Sequence, residues 1–343
     1  MSYKFIPLTK LLTGLICASK SGRRRTPDDC KIRKSTIANY MQVLKKIDLY
    51  SAASGKTLKV PVSCSRSPRI IIKLTNQWLH ELHSYKVFMH NQGSCDNHVA
   101  SHVRIIRTCL NWARIYRGLQ IPQGCVKLHA REEEIEVLAL TPIQLQFLLT
   151  NDNFDKSLPD ELRIAKRIFV VGCHLGLRFT DLLSLRKDAL THLDNSWFIN
   201  VKTRKTGAIV SIPVSILIVG LLNSFNTTKT MFPKMSLSCF NNRLKLIGEA
   251  AGWKFPVSKI RSKSAINKGR SIQTSHPFNE CLSSHIMRRT AISLLLSHGV
   301  PELLVRQITG HKLGSSAFYK YVNFNLSHSQ NIIEKAWMSI VHD

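Results

Sequence analysis

Residues 283–322, near the end of the 343-residue chain, concentrate side chains suited to chemistry on a phosphate ester. This stretch reads SSHIMRRTAISLLLSHGVPELLVRQITGHKLGSSAFYKYV, and it contains His285, Arg288, Arg289, His311, Tyr319 and Tyr321. Arginine presents a planar fork of donors to phosphate oxygens, histidine carries protons near neutral pH, and a phenol oxygen can act as a nucleophile. These residue types therefore predict a reaction at a phosphodiester.

Two further candidate residues lie upstream of this stretch. Arg178 comes shortly after Gly176, the glycine expected to end an apolar helix over 164–175, and Asp181 follows it three residues later. At that spacing the carboxylate either orients the arginine or forms an ordinary helix salt bridge. Lys205 lies at the tip of a hairpin predicted from two runs rich in β-branched residues, 197–201 and 208–214.

Together these residues supply every part that phosphoryl transfer to a tyrosine requires. Arg178 and Arg288 can neutralise the charge that builds on the nonbridging oxygens. A phenol with a pKa of about 10 needs a base, which His285 can provide, while Lys205 can give a proton to the departing oxygen and His311 can hydrogen-bond the phosphate. No acidic cluster suited to magnesium is visible, so we expect a reaction without metal, ATP or any other cofactor.

Composition points to a polyanionic partner. The formal net charge is +28, from 49 Lys and Arg against 21 Asp and Glu. Nucleic acid is the first candidate and an anionic membrane surface the second. No run of about 18 apolar residues is present, which argues against a spanning helix. The nine scattered cysteines form no CxxC pair, so we expect reduced thiols and a cytoplasmic protein rather than a disulfide framework.

The pattern along the chain predicts two domains and a mainly α fold with a small β-sheet (α+β). Residues 1–30 carry three consecutive arginines and are expected to form a mobile basic arm or a solvated tail. Residues 31–120 are expected to form a helical DNA-binding domain and 121–140 an interdomain linker. Residues 141–343 then form the catalytic domain, with its first helix starting at a threonine followed by proline and a second hairpin or extended excursion over 254–280.

Apolar residues at helical spacing predict three helices in the first domain, with a polar loop at 51–68. The expected inward positions are Ile37, Tyr40, Met41, Leu44 and Ile47 in the first helix, Leu74, Trp78, Leu79 and Leu82 in the second, and Val99, Val103, Ile106, Leu110 and Ala113 in the third.

The third helix also carries a polar stripe beside its buried face. The stripe consists of Arg104, Arg107, Asn111 and Arg114. Its charges share one sign, which favours contact with DNA phosphates over a merely solvated face.

A metal site is the weaker interpretation of three residues near the start of the same helix. Cys95, His98 and His102 have a spacing seen in zinc sites, but the sequence offers no evident fourth ligand. We therefore expect no metal there.

The ordered motifs resemble those of the tyrosine recombinases, the phage and mobile-element integrase family. The matching segments are GLRFTDL at 176–182, KTG at 205–207, HIMRR at 285–289, TGH at 309–311 and FYKYV at 318–322. The resemblance covers most of 140–343, and 31–120 is similar in kind to the family's core-binding domain. It implies that Arg178, Lys205, His285, Arg288 and His311 activate a phosphodiester for attack by a tyrosine.

The same resemblance implies a clamp around double-stranded DNA, a 3′-phosphotyrosyl intermediate and a homotetramer that exchanges strands in pairs. The expected partner is a double-stranded DNA recombination site, with DNA-bending accessory factors left open and no membrane partner. The expected location is the bacterial cytoplasm, in association with the nucleoid.

Two departures from the family pattern affect the predicted site. Thr309 stands where leucine usually precedes the glycine-histidine motif. Tyr319 is one residue nearer to His311, and Tyr321 one residue farther, than the usual spacing of the nucleophile. The sequence from Ala317 to Tyr321 resembles the AFxKY ending of some mobile-element integrases, which favours Tyr321 as the nucleophile and leaves Tyr319 as the alternative.

Two other functions stay open on the sequence alone. One is a catalytically degenerate recombinase that binds DNA as an architectural factor or regulator. The other is a type IB topoisomerase, which shares the same chemistry.

Overall fold

The computed structural model describes residues 3–130, 133, 138–204, 207–266, 271–311 and 318. It has the expected α+β fold, in which helices predominate and the sheets are small. The chain divides into two compact units. The first comprises Met1–Glu133 with Ile260–Thr274, and the second comprises Glu134–Lys259 with Ser275–Asp343.

The first unit is helical with one short antiparallel sheet. Its helices are α1 (Leu8–Lys20), α2 (Lys34–Ser54), α3 (Pro68–Asn91), α4 (Asp96–Arg117) and α5 (Gln123–Val126). Its strands β1 (Tyr3–Pro7) and β2 (Lys59–Ser63) pair with Tyr3 opposite Ser63 and Pro7 opposite Lys59.

The prediction of a mobile arm over residues 1–30 is wrong. Helix α1 buries Leu8, Leu12 and Leu15 completely in the core of the first unit. Strand β1 before it pairs with β2, which lies in the segment 51–68 that was expected to be a loop. An apolar helical face of this size stabilises the fold when it is removed from water, so the segment is an integral part of the unit.

The apolar pattern of α2, α3 and α4 identifies most of the buried face. All five predicted inward positions of α4 are buried. Met41 in α2 and Leu79 in α3 are instead 47% and 41% exposed. Both lie at the edge of their helix's apolar stripe, where one helical position decides between core and solvent.

The predicted linker at 121–140 begins too early. Cys125 is fully buried, and its carbonyl oxygen accepts a hydrogen bond from the Trp78 indole at 3.1 Å. Ile121 and Leu128 belong to the same core. Residues 121–128 are therefore part of the first unit.

The second unit contains the remaining elements. Its helices are α6 (Pro142–Thr150), α7 (Asp152–Ser157), α8 (Asp160–Leu175), α9 (Phe179–Leu182), α10 (Ile216–Asn223), α11 (Leu237–Ala250), α12 (Phe278–Cys281), α13 (Ser284–Ser297) and α14 (Glu302–Thr309). The strands β3 (Leu190–Leu193), β4 (Ser196–Lys202) and β5 (Ile209–Val214) form an antiparallel sheet in that order. Strand β6 (Pro256–Ser262) pairs with β7 (Ser271–Pro277). The outer part of this second hairpin, Ile260–Thr274, is assigned to the first unit.

Helix α8 is the centre of the second unit, and α13 packs along it. The helices approach so closely at Gly172 that a Cβ there would lie 2.2 Å from Sδ of Met287. Upstream, Thr141 starts α6, as the sequence predicted, with a capping box in which its hydroxyl accepts from the amide of Gln144. The packing of α13 on α8 places the end of α8 beside the middle of α13.

Candidate active site

Arg288 is held at the end of α8 by the backbone of that helix. Its side chain is buried on α13, and Nη1 donates to the carbonyl oxygen of Gly176 at 3.0 Å. Gly176 ends α8 with φ +62°, a conformation that glycine adopts without steric cost. A Cβ at Gly176 would lie 3.1 Å from Cγ2 of Thr309 and 3.2 Å from Cβ of Ala291. The site thus depends on close contact of three backbone segments.

His311 lies against the same guanidinium group. Gly310, with φ +64°, ends α14 and turns the chain so that His311 faces Arg288. Nη2 of Arg288 is 3.1 Å from Nδ1 and 3.0 Å from Nε2 of the imidazole. The hydroxyl oxygen of Thr309 is 2.8 Å from Nδ1.

Burial and surrounding positive charge keep His311 neutral. Burial, followed by Arg288, Arg178 and Arg306, lowers its pKa from the ordinary value of 6.5 to about 3. The predicted pair of arginines and this histidine therefore share one electrostatic environment.

Arg178 contributes a buried donor. It precedes α9, and its Nη1 atom is buried with no hydrogen-bond partner among the described residues. A buried guanidinium nitrogen without a partner costs free energy in the unliganded protein, and an anionic oxygen would satisfy it.

The expected pairing of Asp181 with Arg178 is wrong in the described part of the chain. Asp181 is 1% exposed, and its Oδ1 accepts from the backbone amide of Arg204 at 3.0 Å instead. Arg204 belongs to the turn between β4 and β5, in which the amide of Gly207 donates to the carbonyl of Thr203 at 2.9 Å. Asp181 therefore ties α9 to the turn that carries Lys205.

Two of the predicted catalytic residues, Lys205 and Tyr321, lie outside the described residues, as does the alternative nucleophile Tyr319. His285 is described, and it is exposed on α13 three residues before Arg288. At that spacing the two side chains lie on the same side of the helix.

Sequence reasoning did not identify Arg306 as a neighbour of the site. Its side chain is 3% exposed, and its guanidinium carbon lies 4.1 Å from the centroid of the Phe318 ring. Nε donates to Glu302 one turn earlier at 2.6 Å, an ion pair that the spacing of four residues could have suggested. The Phe318 ring also lies edge-on to the His311 imidazole, with 5.2 Å between centroids.

The polar stripe of the first unit is present on α4. Arg104 and Arg107 are exposed, whereas Asn111 and Arg114 are half-buried. Nη1 of Arg107 is within 3.4 Å of the carbonyl oxygen of Leu128. Two of the four stripe residues are therefore exposed to solvent.

The residues considered for zinc have other hydrogen-bond partners. Nδ1 of His102 pairs with the Tyr85 hydroxyl at 2.8 Å, and burial lowers the pKa of His102 to about 4. Nδ1 of His98 pairs with Ser94 at 3.0 Å. Within the described ranges, no group of three or more His, Cys, Asp and Glu side chains is arranged to hold a metal ion.

Among the described helices, none is both long and apolar enough to cross a lipid bilayer.

No protein-family model matches the sequence, and no curated protein sequence matches it. Solved structures do share its fold. The Tn1549 transposon integrase in complex with transposon right end DNA superimposes with a TM-score of 0.63 and 12% identity, over 96% of this chain and 99% of that one. A lambda integrase dimer bound to a COC′ core site gives 0.54 and 15%, over 92% and 95%. The XerH site-specific recombinase in its post-cleavage complex gives 0.52 and 14%, over 98% and 96%.

These structures are all tyrosine recombinases, and the chain has their fold across both of its units. The similarity predicted from the ordered motifs is thereby confirmed at the level of the fold.

Proposed function

We propose that this protein is a site-specific DNA recombinase that cleaves and rejoins duplex DNA through a 3′-phosphotyrosyl intermediate. The observation that carries the proposal is the cluster formed by Arg178, Arg288 and His311. Two guanidinium groups and a neutral imidazole lie in one partly buried environment, and one guanidinium nitrogen has no partner within the described residues. A phosphodiester anion supplies the oxygens that such a cluster lacks.

In the proposed reaction the tyrosine oxygen attacks phosphorus, and the bond from phosphorus to the 5′ oxygen of the next nucleotide breaks. The phenol proton passes to His285, and Lys205 gives a proton to the departing 5′ oxygen. Arg178 and Arg288 stabilise the charge on the nonbridging oxygens in the transition state. Attack by a 5′ hydroxyl reverses these steps, so the phosphotyrosine bond conserves the energy needed for rejoining and ATP is not required.

The proposed partner is a double-stranded DNA recombination site. The net charge of +28 favours a polyanion, and the exposed Arg104 and Arg107 offer phosphate contacts on the first unit. A homotetramer on DNA is the assembly that strand exchange in pairs would need, and DNA-bending accessory factors are further candidate partners.

A trapping experiment tests the proposal. Duplexes that cover the DNA flanking the native locus are nicked near each candidate site, so that the short cleaved strand diffuses away and religation fails. We expect a protein–DNA adduct that survives denaturation, forms in the presence of EDTA and blocks the 3′ end of the cleaved strand. The control is the double variant Tyr319→Phe, Tyr321→Phe, which should bind the same DNA and give no adduct.

Two results would redirect the assignment. DNA binding without an adduct on any duplex would identify a catalytically degenerate architectural protein or regulator. Relaxation of supercoiled plasmid without sequence preference would identify a type IB topoisomerase.

A further inference from the structure

Thr309 lies at the end of α14, beside the proposed catalytic cluster. The residue is fully buried at the last position of α14. Its hydroxyl oxygen contacts the carbonyl oxygen of Val305, the carbonyl oxygen of Arg306 at 3.4 Å, and Nδ1 of His311 at 2.8 Å. A threonine hydroxyl has one proton, so it can be the hydrogen-bond donor in only one of these contacts.

The hydroxyl proton belongs to the carbonyl of Val305. That contact is the shortest of the three, and threonine in a helix commonly donates to the carbonyl four residues earlier. A carbonyl oxygen can only accept, whereas an imidazole nitrogen can donate or accept. The hydroxyl oxygen of Thr309 is therefore an acceptor towards Nδ1, and Nδ1 must carry the ring proton of His311.

The contact with Arg288 is compatible with this assignment. A neutral imidazole carries one N–H, so a proton on Nδ1 leaves a lone pair on Nε2. The guanidinium group of Arg288 is always protonated and can only donate, and its Nη2 lies 3.0 Å from Nε2. Nη2 is also 3.1 Å from Nδ1, so it lies over the face of the ring, nearly equidistant from the two nitrogens. Thr309 therefore assigns the ring proton, and the guanidinium group of Arg288 packs against the imidazole.

We propose that Thr309 is a positioning residue that holds His311 in the Nδ1–H tautomer and fixes its imidazole against the guanidinium group of Arg288. The importance of this contact for cleavage rests on the proposed function, whereas the tautomer itself does not. In the unliganded site, His311 thus supports Arg288 and has no proton on Nε2 to offer a phosphate oxygen.

The packing of Thr309 explains why this position suits a β-branched residue with a hydroxyl group. Its methyl group lies against Gly176, where a Cβ would approach it to 3.1 Å, and its hydroxyl reaches His311 on the other side. Leucine, which is usual at this position in the resembled family, cannot accept a hydrogen bond from Nδ1. Valine keeps the shape of threonine and removes only the hydroxyl group, which makes it the informative substitution.

The tautomer can be measured directly on the full chain without DNA. Long-range proton–nitrogen correlation spectra of protein labelled with ¹⁵N-histidine distinguish Nδ1–H from Nε2–H, and the His311 signals are those absent from His311→Gln. We expect Nδ1–H in the wild type and in Thr309→Ser, and loss of that preference in Thr309→Val. The matched control is Thr290→Val, because Thr290 is also fully buried but its hydroxyl accepts from the amide of Leu140 at 2.9 Å.

An Nε2–H tautomer in the wild type, or an unchanged His311 spectrum in Thr309→Val, would overturn the proposal. If Thr309→Val does not fold, the wild-type spectrum by itself tests the proposed tautomer. An effect of Thr290→Val equal to that of Thr309→Val would likewise contradict a specific role of the Thr309 hydroxyl.

Adduct formation measures whether the contact matters for the reaction. We expect Thr309→Val to form the adduct between about 10-fold and about 100-fold more slowly than the wild type, since small displacements of catalytic groups have effects of that size. Thr309→Ser should restore most of the rate. A wild-type rate in Thr309→Val would exclude the positioning role. If the wild-type protein formed no adduct on any duplex, the proposed function would be refuted, and the spectra would still test the tautomer.

Discussion

The buried carboxylate of Asp181 accepts a hydrogen bond from the backbone amide of Arg204, with 3.0 Å between Oδ1 and the nitrogen. Asp181 lies in α9, three residues after Arg178, and Arg204 directly precedes Lys205. A single carboxylate thus links the helix that follows one proposed catalytic residue to the turn that carries another.

Removal of this carboxylate should destabilise the turn. Asp181→Ala leaves the amide of Arg204 without its acceptor, and we expect the free energy of unfolding to fall by about 1–3 kcal/mol. Asp181→Asn retains an oxygen acceptor and should lose less. Urea unfolding measures both changes, and hydrogen exchange at the amide of Arg204 should accelerate in Asp181→Ala alone. Equal stability of Asp181→Ala and the wild type would contradict the proposed link.

The same link predicts a defect in leaving-group chemistry. If Asp181 positions Lys205, both Asp181→Ala and Lys205→Ala should cleave slowly on ordinary DNA and recover when the 5′ oxygen is replaced by sulfur, which leaves without a proton donor. Arg288→Ala should not recover, because its role is at the nonbridging oxygens. Equal slowing of Lys205→Ala on both substrates would remove Lys205 as the acid.

Gly176 offers a test of the close contact that holds Arg288. Gly176→Ala forces alanine into a left-handed conformation and brings its Cβ within 3.1 Å of Thr309. Gly252 in the same unit has φ +72°, and a Cβ added there would meet no atom within 4 Å, so Gly252→Ala carries the backbone penalty alone, about 1 kcal/mol. We expect Gly176→Ala to be the more destabilising of the two in urea unfolding. Equal losses would show that the contact with Thr309 is not tight.

The helical parts of the fold were predictable because their signal is local. In α4, Val103, Ile106 and Leu110 recur at the spacing of one helix face, and all are buried. The pairing of β1 with β2 was not predictable in this way, because Phe5 faces Pro61 across more than fifty residues of intervening chain. Periodicity within a segment carries no information about so distant a partner.

The proposed site, like the fold, was predictable from the sequence only in part. The types and order of Arg178, Arg288 and His311 were evident from the sequence, but the groups that hold them are tertiary contacts. Arg288 is held by the carbonyl of Gly176, which any residue type would supply. The spacing of Arg178 and Asp181 suggested a helix pair, yet the carboxylate is satisfied by a backbone amide from the neighbouring hairpin turn. A backbone partner leaves no trace in side-chain spacing.

The lowered pKa of His311 predicts a pH dependence of stability. The unfolded chain binds a proton at this residue as the pH falls below about 6.5, whereas the folded protein resists protonation down to about 3. The unfolded state therefore binds more protons in that window, and the free energy of unfolding should decrease as the pH falls through it. His311→Gln should lose less stability than the wild type between about pH 7 and about pH 5 in urea unfolding.

His102 provides an internal comparison for this measurement. Its pKa is lowered to about 4 by burial in the first unit, so His102→Gln should also flatten the pH dependence, through the other unit. The double variant should show the sum of the two effects, because the sites share no partner. A pH dependence in His311→Gln identical to the wild type would contradict a neutral His311.

The stripe on α4 predicts the salt dependence of DNA binding. Each phosphate contact contributes about 0.9 to the slope of log affinity against log salt concentration. Arg104→Ala and Arg107→Ala should each reduce that slope by about one contact while weakening all sequences alike. Arg186→Ala is the control, because Arg186 is exposed and already paired with Asp188 at 3.2 Å. An unchanged slope in both stripe variants would leave the stripe as a solvated face.

The proposed nucleophile can be assigned by comparing two phenylalanine substitutions. Tyr321→Phe removes a single oxygen atom, so it should abolish the denaturation-resistant adduct and leave the affinity for DNA within about twofold of the wild type, since the lost atom acts only in the chemical step. Tyr319→Phe should retain the adduct. Both are measured on the nicked duplex at equal occupancy of DNA, which separates loss of chemistry from loss of binding. Retention of the adduct by Tyr321→Phe and its loss in Tyr319→Phe would assign the reaction to Tyr319, because only the residue whose oxygen bonds to phosphorus is indispensable to the covalent product.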